Sequence, residues 1–540
     1  MEASDPSLLP PPVVPPTPPS PRKAPPSRYL IFRPGKITIL DIVRLLFTSR
    51  RFLDYQFVES SDPPMSPELE TAIPDPNMVV SALLLKILHF IRKPLALLGR
   101  VVEYCLNLLC LNGGYIGFLR NIVSVNVTFP DKKASSFRSI ISLVDGRLDL
   151  YKKHSLTEYN ALMDLQIDLR RDIGEDVMPL DLTTMASKIA YENPSYIKEA
   201  VDNHLKMNFV EFFDCWNKFL EAKTTQAFVF TDKEEDANWI FLVFRGTELF
   251  DAMDWSVDLD ISRIHINDKM GSVHLGFMKA LGLQDETDFA KGFPVDIDDL
   301  QINAVPGNDT AADDDGGEKL AFCQQQEEGD KPQLAYYAIR KTLARLLEEH
   351  PGAKILITGH SQGGALAVLF SGLLAYHGRQ DVLEKIEGVV THGQPRVGDR
   401  TFAGYMDSIV KLKYYRTVYR HDIVPRIPFD QPPIFQFKHF GICVYYEGWF
   451  KRKVGGDDEP NPNFFDWSFL GEMFRGSWDD LSDALTAPDK EGKEFEEGWI
   501  SLFLRLYGLT FPGMAFHSPR DYLNAARLSH LAVKDVDQLV

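Results

Sequence analysis

Positive charge is scarce in this 540-residue chain, where 58 Lys and Arg face 76 Asp and Glu for a formal charge of −18 at pH 7. Proteins that hold a phosphate backbone release its counterions with clustered cations, so the balance excludes nucleic acid as a partner and points to a neutral or apolar substrate. Cysteine is scarcer still. The five present, Cys105, Cys110, Cys215, Cys323 and Cys443, are odd in number, scattered and without metal-ligand spacing. That excludes a disulfide framework, gives no metal site, and fits a reducing compartment. The first residues lack the charged start and apolar run of a secretory signal, so secretion is not expected. No charge-free apolar run reaches the roughly 18 to 20 residues that a membrane-spanning helix requires.

What is present divides the chain into three regions. Residues 1–35 read as a disordered Pro-rich tail, because prolines fix φ and remove N–H donors. Residues 36–130 read as an amphipathic and apolar helical region that associates with lipid. Within it, 36–53 places Ile39, Ile42, Val43, Leu46 and Phe47 on one helical face, with Arg44, Arg50 and Arg51 available to anionic head groups. The stretch 78–120 is the most hydrophobic of the chain, cut by Lys86, by Arg92-Lys93-Pro94 and by Arg100 and Glu103. Two apolar helices hinged near Pro94, lying in one leaflet, are the expectation, with burial against the catalytic domain as the alternative. From 135 to 540 the pattern is globular, with helical periods through 137–225 and an acidic, Gly-rich flexible insertion at 303–332.

Within the globular part, strands are expected at Trp239–Phe244, Lys354–Thr358, Gly388–Thr391 and Tyr414–Tyr419, and helices before and after Lys354–Thr358. Strand and helix alternate, which predicts an α/β fold with a mostly parallel central sheet. Gly359-His360-Ser361-Gln362-Gly363 follows one of these strands and opens a helix. A serine on so sharp a turn is exposed at the carboxyl edge of the sheet, and its glycines let strand and helix approach. An N-capping serine at a tight turn is the alternative.

A serine hydroxyl needs a histidine to take its proton and a carboxylate to orient that histidine. Asp422, on the loop after KYYRTVYR, is the acid of choice, with Asp399 and Asp430 as competitors. His517, between a Pro-containing loop and a helix, is the base of choice over His439 and His530. The tetrahedral oxyanion needs two preorganised N–H donors. Gln362, directly after the nucleophile, supplies one amide, and Thr247, after the strand ending Phe244-Arg245-Gly246, is chosen for the other.

Taken with Val243 to Thr247, Asp254-Trp255, Val273 to Phe277, Thr358 to Gly364, Gly393 to Gly398 and Arg420-His421-Asp422, the chain resembles the class 3 (fungal-type) lipase family. The resemblance covers about residues 235–525 and implies an α/β-hydrolase fold. It implies Ser361, Asp422 and His517 as triad, Thr247 and Gln362 as oxyanion donors, and no metal or organic cofactor. With its hydrophobic front region the chain is similar to the plant oil-body lipases. That implies hydrolysis of stored triacylglycerol at the cytoplasmic face of a lipid droplet. Two features depart from the family pattern: the long interval between Asp422 and His517, and the insertion at 303–332. The first holds an aromatic-rich stretch, 446–512, that reads as a cap, an opening lid, or a self-association face giving a homo-oligomer. A phospholipase A1 or galactolipase is the alternative of the same chemistry. A non-catalytic lipase-fold scaffold or a droplet coat protein is the alternative of another class.

Overall fold

A computed structural model describes residues 26–141, 180–247, 260–283, 333–410, 414–455, 459–460, 462–463, 467–486, 505–506, 513 and 515–537. The acidic insertion at 303–332 and Asp254-Trp255 lie outside the described residues, as does the first part of the tail.

The tail ends earlier than its composition suggests. Tyr29–Phe32 is strand β1, pairing antiparallel with β2 (Val58–Ser60) and with a strand from deep in the chain. Once the prolines stop, a Tyr-Leu-Ile-Phe run has N–H donors and apolar side chains to commit, and all of Leu30, Ile31 and Phe32 is buried. Helix α1 (Ile39–Phe47) starts at a reciprocal capping box of Thr38 with Asp41. Only Asp41 and Leu45 of α1 are buried, while Ile39, Leu40, Val43, Leu46 and Phe47 are exposed.

Helix α2 corrects the expectation of a hinge. It runs unbroken from Pro76 to Leu111, with Asp75 as its cap and Pro94 inside it. One proline removes a single i to i−4 bond, and the helix carries on through it. Met78–Leu111 is therefore long and apolar enough to cross a membrane by length and composition, although its charges interrupt the one-dimensional run. Met78, Val79, Ala82 and Leu85 pack inward, whereas Leu83, Ile87, Phe90, Leu97, Leu98 and Val101 face out. Its far end is tied by polar clamps: Asn107 exchanges hydrogen bonds with the backbone of Arg138 at 2.8 Å each way, and Asn112 does so with Thr128. Helix α3 (Gly114–Val123) follows it.

Among the described residues an eight-stranded sheet forms the body. Its members are β3 (Asn208–Asn217), β4 (Ala222–Thr231), β5 (Trp239–Phe244), β8 (Lys354–His360), β9 (Ile386–His392), β10 (Tyr414–Tyr419), β13 (Ile442–Gly448) and β14 (Lys451–Val454). The order is β14-β13-β10-β9-β8-β5-β4-β3. The five central strands, β13 to β5, are parallel, and antiparallel strands close both edges. Of the helical periods read over 137–225, Leu180–Ile189 and Pro194–Glu199 are helix, whereas from Asn208 the hairpin β3–β4 takes their place. Its alternating Phe, Val and Thr side chains pack across the pair, and cross-strand contact overrides a weak 3.6-residue pattern. A smaller sheet, β2-β1-β6-β7, holds β6 (Arg263–Asn267) and β7 (Gly271–His274), and a two-strand pair, β11 (Asp430–Gln431) with β12 (Phe435–Gln436), lies outside both.

Helices cover both sheet faces. On one lies α4 (Leu180–Ile189); on the other are α5 (Leu275–Ala280), α6 (Ala335–Glu349), α7 (Gln362–Tyr376) and α8 (Arg400–Val410). Helices α9 (Trp467–Thr486) and α10 (Pro519–Asp537) close the chain. This is the α/β-hydrolase architecture expected. A third apolar cluster joins β1, Phe52, Phe57 and the first turns of α2 to Ile427, Phe429 and Phe435, so the front region is packed onto the hydrolase body.

Candidate active site

Strand β8 delivers Ser361 into a turn with φ 58° and ψ −135°. That conformation is costly for a residue with a Cβ, and it is held by the surroundings. The Ser361 N–H donates to His392 O at 2.8 Å, and its carbonyl receives Gly364 N at 2.9 Å. The two glycines have different neighbours. A Cβ on Gly359 would collide with the backbone of Gly363, and one on Gly363 would collide with Phe244 O at the end of β5. Their bareness lets β5 come alongside the turn. As a result Gly246 lies so close that its own Cβ would stand 3.1 Å from Ser361 Cβ, and Thr247 follows directly, buried. Gln362 opens α7, where the first amides have no partner within the helix.

Across the chain, a short turn at Ala515–His517 before α10 holds His517. Its Nε2 lies 2.7 Å from Ser361 Oγ and its Nδ1 2.8 Å from Asp422 Oδ2. Asp422, at the carboxyl end of β10, is fully buried, and its Oδ1 accepts the Val424 N–H at 2.9 Å. Gly393 makes room for this line. It sits at φ 60°, and a Cβ there would stand 2.9 Å from His517 Cε1 and 3.0 Å from Asp422 Oδ2. Ser361 and His517 are themselves only 1% and 7% exposed, so the line is closed off from bulk water. The residues singled out by sequence thus meet in one place.

The competing residues have other partners. Asp399 accepts the N–H groups of Ser272 and Phe402, each at 2.9 Å, the latter at the start of α8. Asp430 pairs with Arg400 and Lys438 at the surface. Buried His439 bonds Pro425 O at 2.7 Å, and His530 lies along α10.

Three site residues escaped the sequence reading. The Tyr522 hydroxyl donates to Asp422 Oδ2 at 2.6 Å and accepts the Tyr419 N–H at 3.1 Å. The burial of this phenol and the Asp422 charge beside it hold its pKa well above the ordinary range, so it stays a donor. His360 holds its ring, tilted by 33°, 4.5 Å from that of His517 and meets Tyr191 Oη at 2.8 Å through Nδ1. Burial, then the neighbouring His517 and His392, push His360 well below its usual pKa, so it is neutral under His517. For Tyr522 a signal existed: it stands five residues after His517, one turn into a helix that must pass the same loop. Tyr191 had none, because its contact is made only by folding.

The described residues of 446–512 are tied to the strand that leads to the acid and to α10. Arg420 Nε lies 2.8 Å from Asp480 of α9, the Tyr419 hydroxyl donates to Asp480 at 2.9 Å, and Arg505 reaches Asp521 at 2.5 Å. Behind the acid's loop, Arg396 donates to the carbonyls of Arg426 and Pro428 at 2.8 Å, which explains an arginine in Gly393 to Gly398.

A buried Ser, His and Asp joined in that order at the carboxyl edge of a parallel sheet define the serine hydrolases of the α/β-hydrolase class. The profile of the family described as Lipase (class 3) matches residues 241–431. Over 93% of its length the chain is 38% identical to triacylglycerol lipase OBL1 of Nicotiana tabacum and 37% identical to its namesake in Arabidopsis thaliana, covering 94% and 95% of those proteins. The chain belongs to the class 3 lipase family. Among solved structures, a triacylglyceride lipase of Rhizomucor miehei matches at 22% identity and a TM-score of 0.35, over 54% of this chain and 87% of that one.

Proposed function

We propose that this protein hydrolyses triacylglycerol at the surface of a stored-lipid droplet. One observation carries the reading: a Ser–His–Asp line stands in the same packed body as two helices, α1 and α2, that turn their apolar side chains outward. Similarity to triacylglycerol lipases over nearly the whole chain, front region included, supports it.

In this reading His517 Nε2 takes the Ser361 proton as Oγ attacks the ester carbonyl, and Asp422 stabilises the imidazolium that results. The amides of Thr247 and Gln362 receive the oxyanion, each donor contributing about 2.7–4 kcal/mol to barrier lowering. Collapse breaks the bond to glycerol oxygen, which leaves with the proton from His517. Water, deprotonated by His517, then attacks the acyl ester on Ser361, and the free fatty acid departs as Ser361 recovers its proton. Tyr522 fixes the carboxylate, and His360 with Tyr191 backs the imidazole.

Release of fatty acid from emulsified triolein is the test, run against phosphatidylcholine and galactolipid vesicles. Ser361→Ala should lose about 10⁴- to 10⁶-fold in turnover while staying on droplets. Preference for the polar lipids would move the assignment to a phospholipase or galactolipase. Undiminished turnover in the variant would end the triad reading.

A further inference from the structure

Helix α2 is held by the rest of the protein at both ends. At its start Met78, Val79, Ala82 and Leu85 are buried among Phe52, Phe57, Ile427 and Phe435. Toward its far end Glu103 accepts the Ile140 N–H at 3.2 Å, and Asn107 exchanges hydrogen bonds of 2.8 Å with the backbone of Arg138. The segment that receives them is itself fixed to the hydrolase body. Asn193 donates to the carbonyls of Ala134 and Phe137 at 3.0 and 3.3 Å, Glu192 accepts the Ser139 N–H at 2.8 Å, and the Arg138 guanidinium lies 3.7 Å from the centre of the Tyr196 ring, which packs in the core. A helix that crosses a membrane delivers its ends to opposite sides of roughly 30 Å of hydrocarbon. Both ends of α2 stay on one body, and drawing the far half into lipid would strand the Asn107 amide and the Arg138 and Ile140 N–H groups where nothing satisfies them.

Between these attachments the helix is two-faced. Leu85, Glu103 and Asn107 turn to the body, while Leu83, Ile87, Phe90, Leu97, Val101 and Tyr104 are exposed on one stripe about 32 Å long at about 1.5 Å per residue. One edge of the stripe carries Lys86, Lys93 and Arg100, seven residues apart, and the other carries Leu84, Ile91 and Leu98. None of the three cations meets a carboxylate among the described residues. A second copy of α2 laid antiparallel on the stripe would set this row of cations against itself, and one laid parallel would set it against leucine and isoleucine. A lipid leaflet suits both edges, because long cationic side chains reach its head groups while the stripe meets its acyl chains. We infer that α2 lies flat in a single leaflet, apolar stripe inward and cationic edge at the head groups, and does not cross the layer although it is long enough to. The inference rests on the reading that the chain works at a lipid surface. It adds how the chain sits there, with both ends of the anchor on the side of the catalytic body.

Nitroxide labels on the full chain test it, placed singly at Leu83→Cys, Phe90→Cys, Leu97→Cys or Tyr104→Cys with Cys105→Ser, Cys110→Ser and Cys323→Ser. Depth is read from the accessibility of each label to oxygen against a water-soluble nickel chelate, on phosphatidylcholine vesicles and on triolein droplets coated with the same lipid. The four labels should lie within about 3 Å of one depth, roughly 5–10 Å below the surface, on vesicles and droplets alike. A vesicle profile that deepens to roughly 15 Å near the middle of the helix and returns toward both ends would overturn the proposal in favour of a crossing helix. So would labels that stay water-accessible when lipid is added, or that broaden one another in lipid-free solution, since the stripe would then be idle or covered by a second copy. Fatty-acid release from the droplets is read in parallel. Flat labels without hydrolysis count against the lipase reading alone, and hydrolysis with water-accessible labels counts against this proposal alone.

Discussion

Helices α2 and α7 are both strongly apolar, and α2 alone of the two is also long enough to cross a membrane, yet α7 is buried inside the protein and α2 leaves much of its apolar surface exposed. Helix α7 is apolar all round and has a sheet on one side and further helices on the other, so thirteen of its fifteen residues are buried. Helix α2 has one packed face near its start and polar clamps near its end, and leaves Leu83, Ile87, Phe90, Leu97 and Leu98 outside. Hydrophobicity fixes that a segment must leave water. What it leaves water for, a protein core or a lipid surface, depends on whether the rest of the chain supplies neighbours.

The contrast can be broken first at its catalytic end. Asp422→Asn should keep the geometry but impose the wrong tautomer on His517, lowering turnover on triolein by about 10⁴-fold with droplet retention unchanged. Retention that fell in parallel would mean that the site and the surface are not separable. Next, Leu369→Ala in α7 should lower the free energy of unfolding by about 2–5 kcal/mol. Phe90→Ser in α2 should change it by less than about 0.5 kcal/mol while weakening retention. Equal melting shifts would show that α2 is a core helix after all.

Tyr522→Phe strips one hydrogen bond from Asp422 and leaves the Tyr419 N–H unpaired, a loss of about 1–2 kcal/mol that should appear as roughly tenfold in kcat/KM. At neutral pH the smallest effect belongs to the titration of His392, buried against Thr417 and Thr183 and pushed by burial down to about 3. Its folded pKa lies below the unfolded value near 6.5, so the stabilisation is complete above 6.5 and drains away as pH falls toward 3. A His392→Gln chain should show a flatter melting curve against pH over that window. Droplet retention, which owes nothing to His392, should not follow it.

Much of the hydrolase body was legible because its signals are local. Trp239–Phe244, Gln362–Tyr376 and Tyr414–Tyr419 begin and end where their apolar runs do, and a glycine-flanked serine between strand and helix has few other uses. Ser361, Asp422 and His517 could be chosen from their loops and chain order alone. The hairpin β3–β4 was misread as helix, since a strand pair declares itself only through its partner. Asn107 and Asn112, which clamp α2, look like any polar residue in a helix until Arg138 and Thr128 arrive beside them.

By itself, then, the sequence determined the strands and helices on either side of Ser361, the sharp turn that holds it and the kinds of side chain offered for chemistry, because each depends on neighbours a few residues away. Tertiary structure alone decided that Tyr522 and Tyr191 would back the site, that Tyr29–Phe32 would join the hydrolase body, and that α2 would keep its greasy side outward. Those outcomes are contacts between segments up to hundreds of residues apart, and no local propensity encodes which partner a buried hydroxyl or an apolar face will meet.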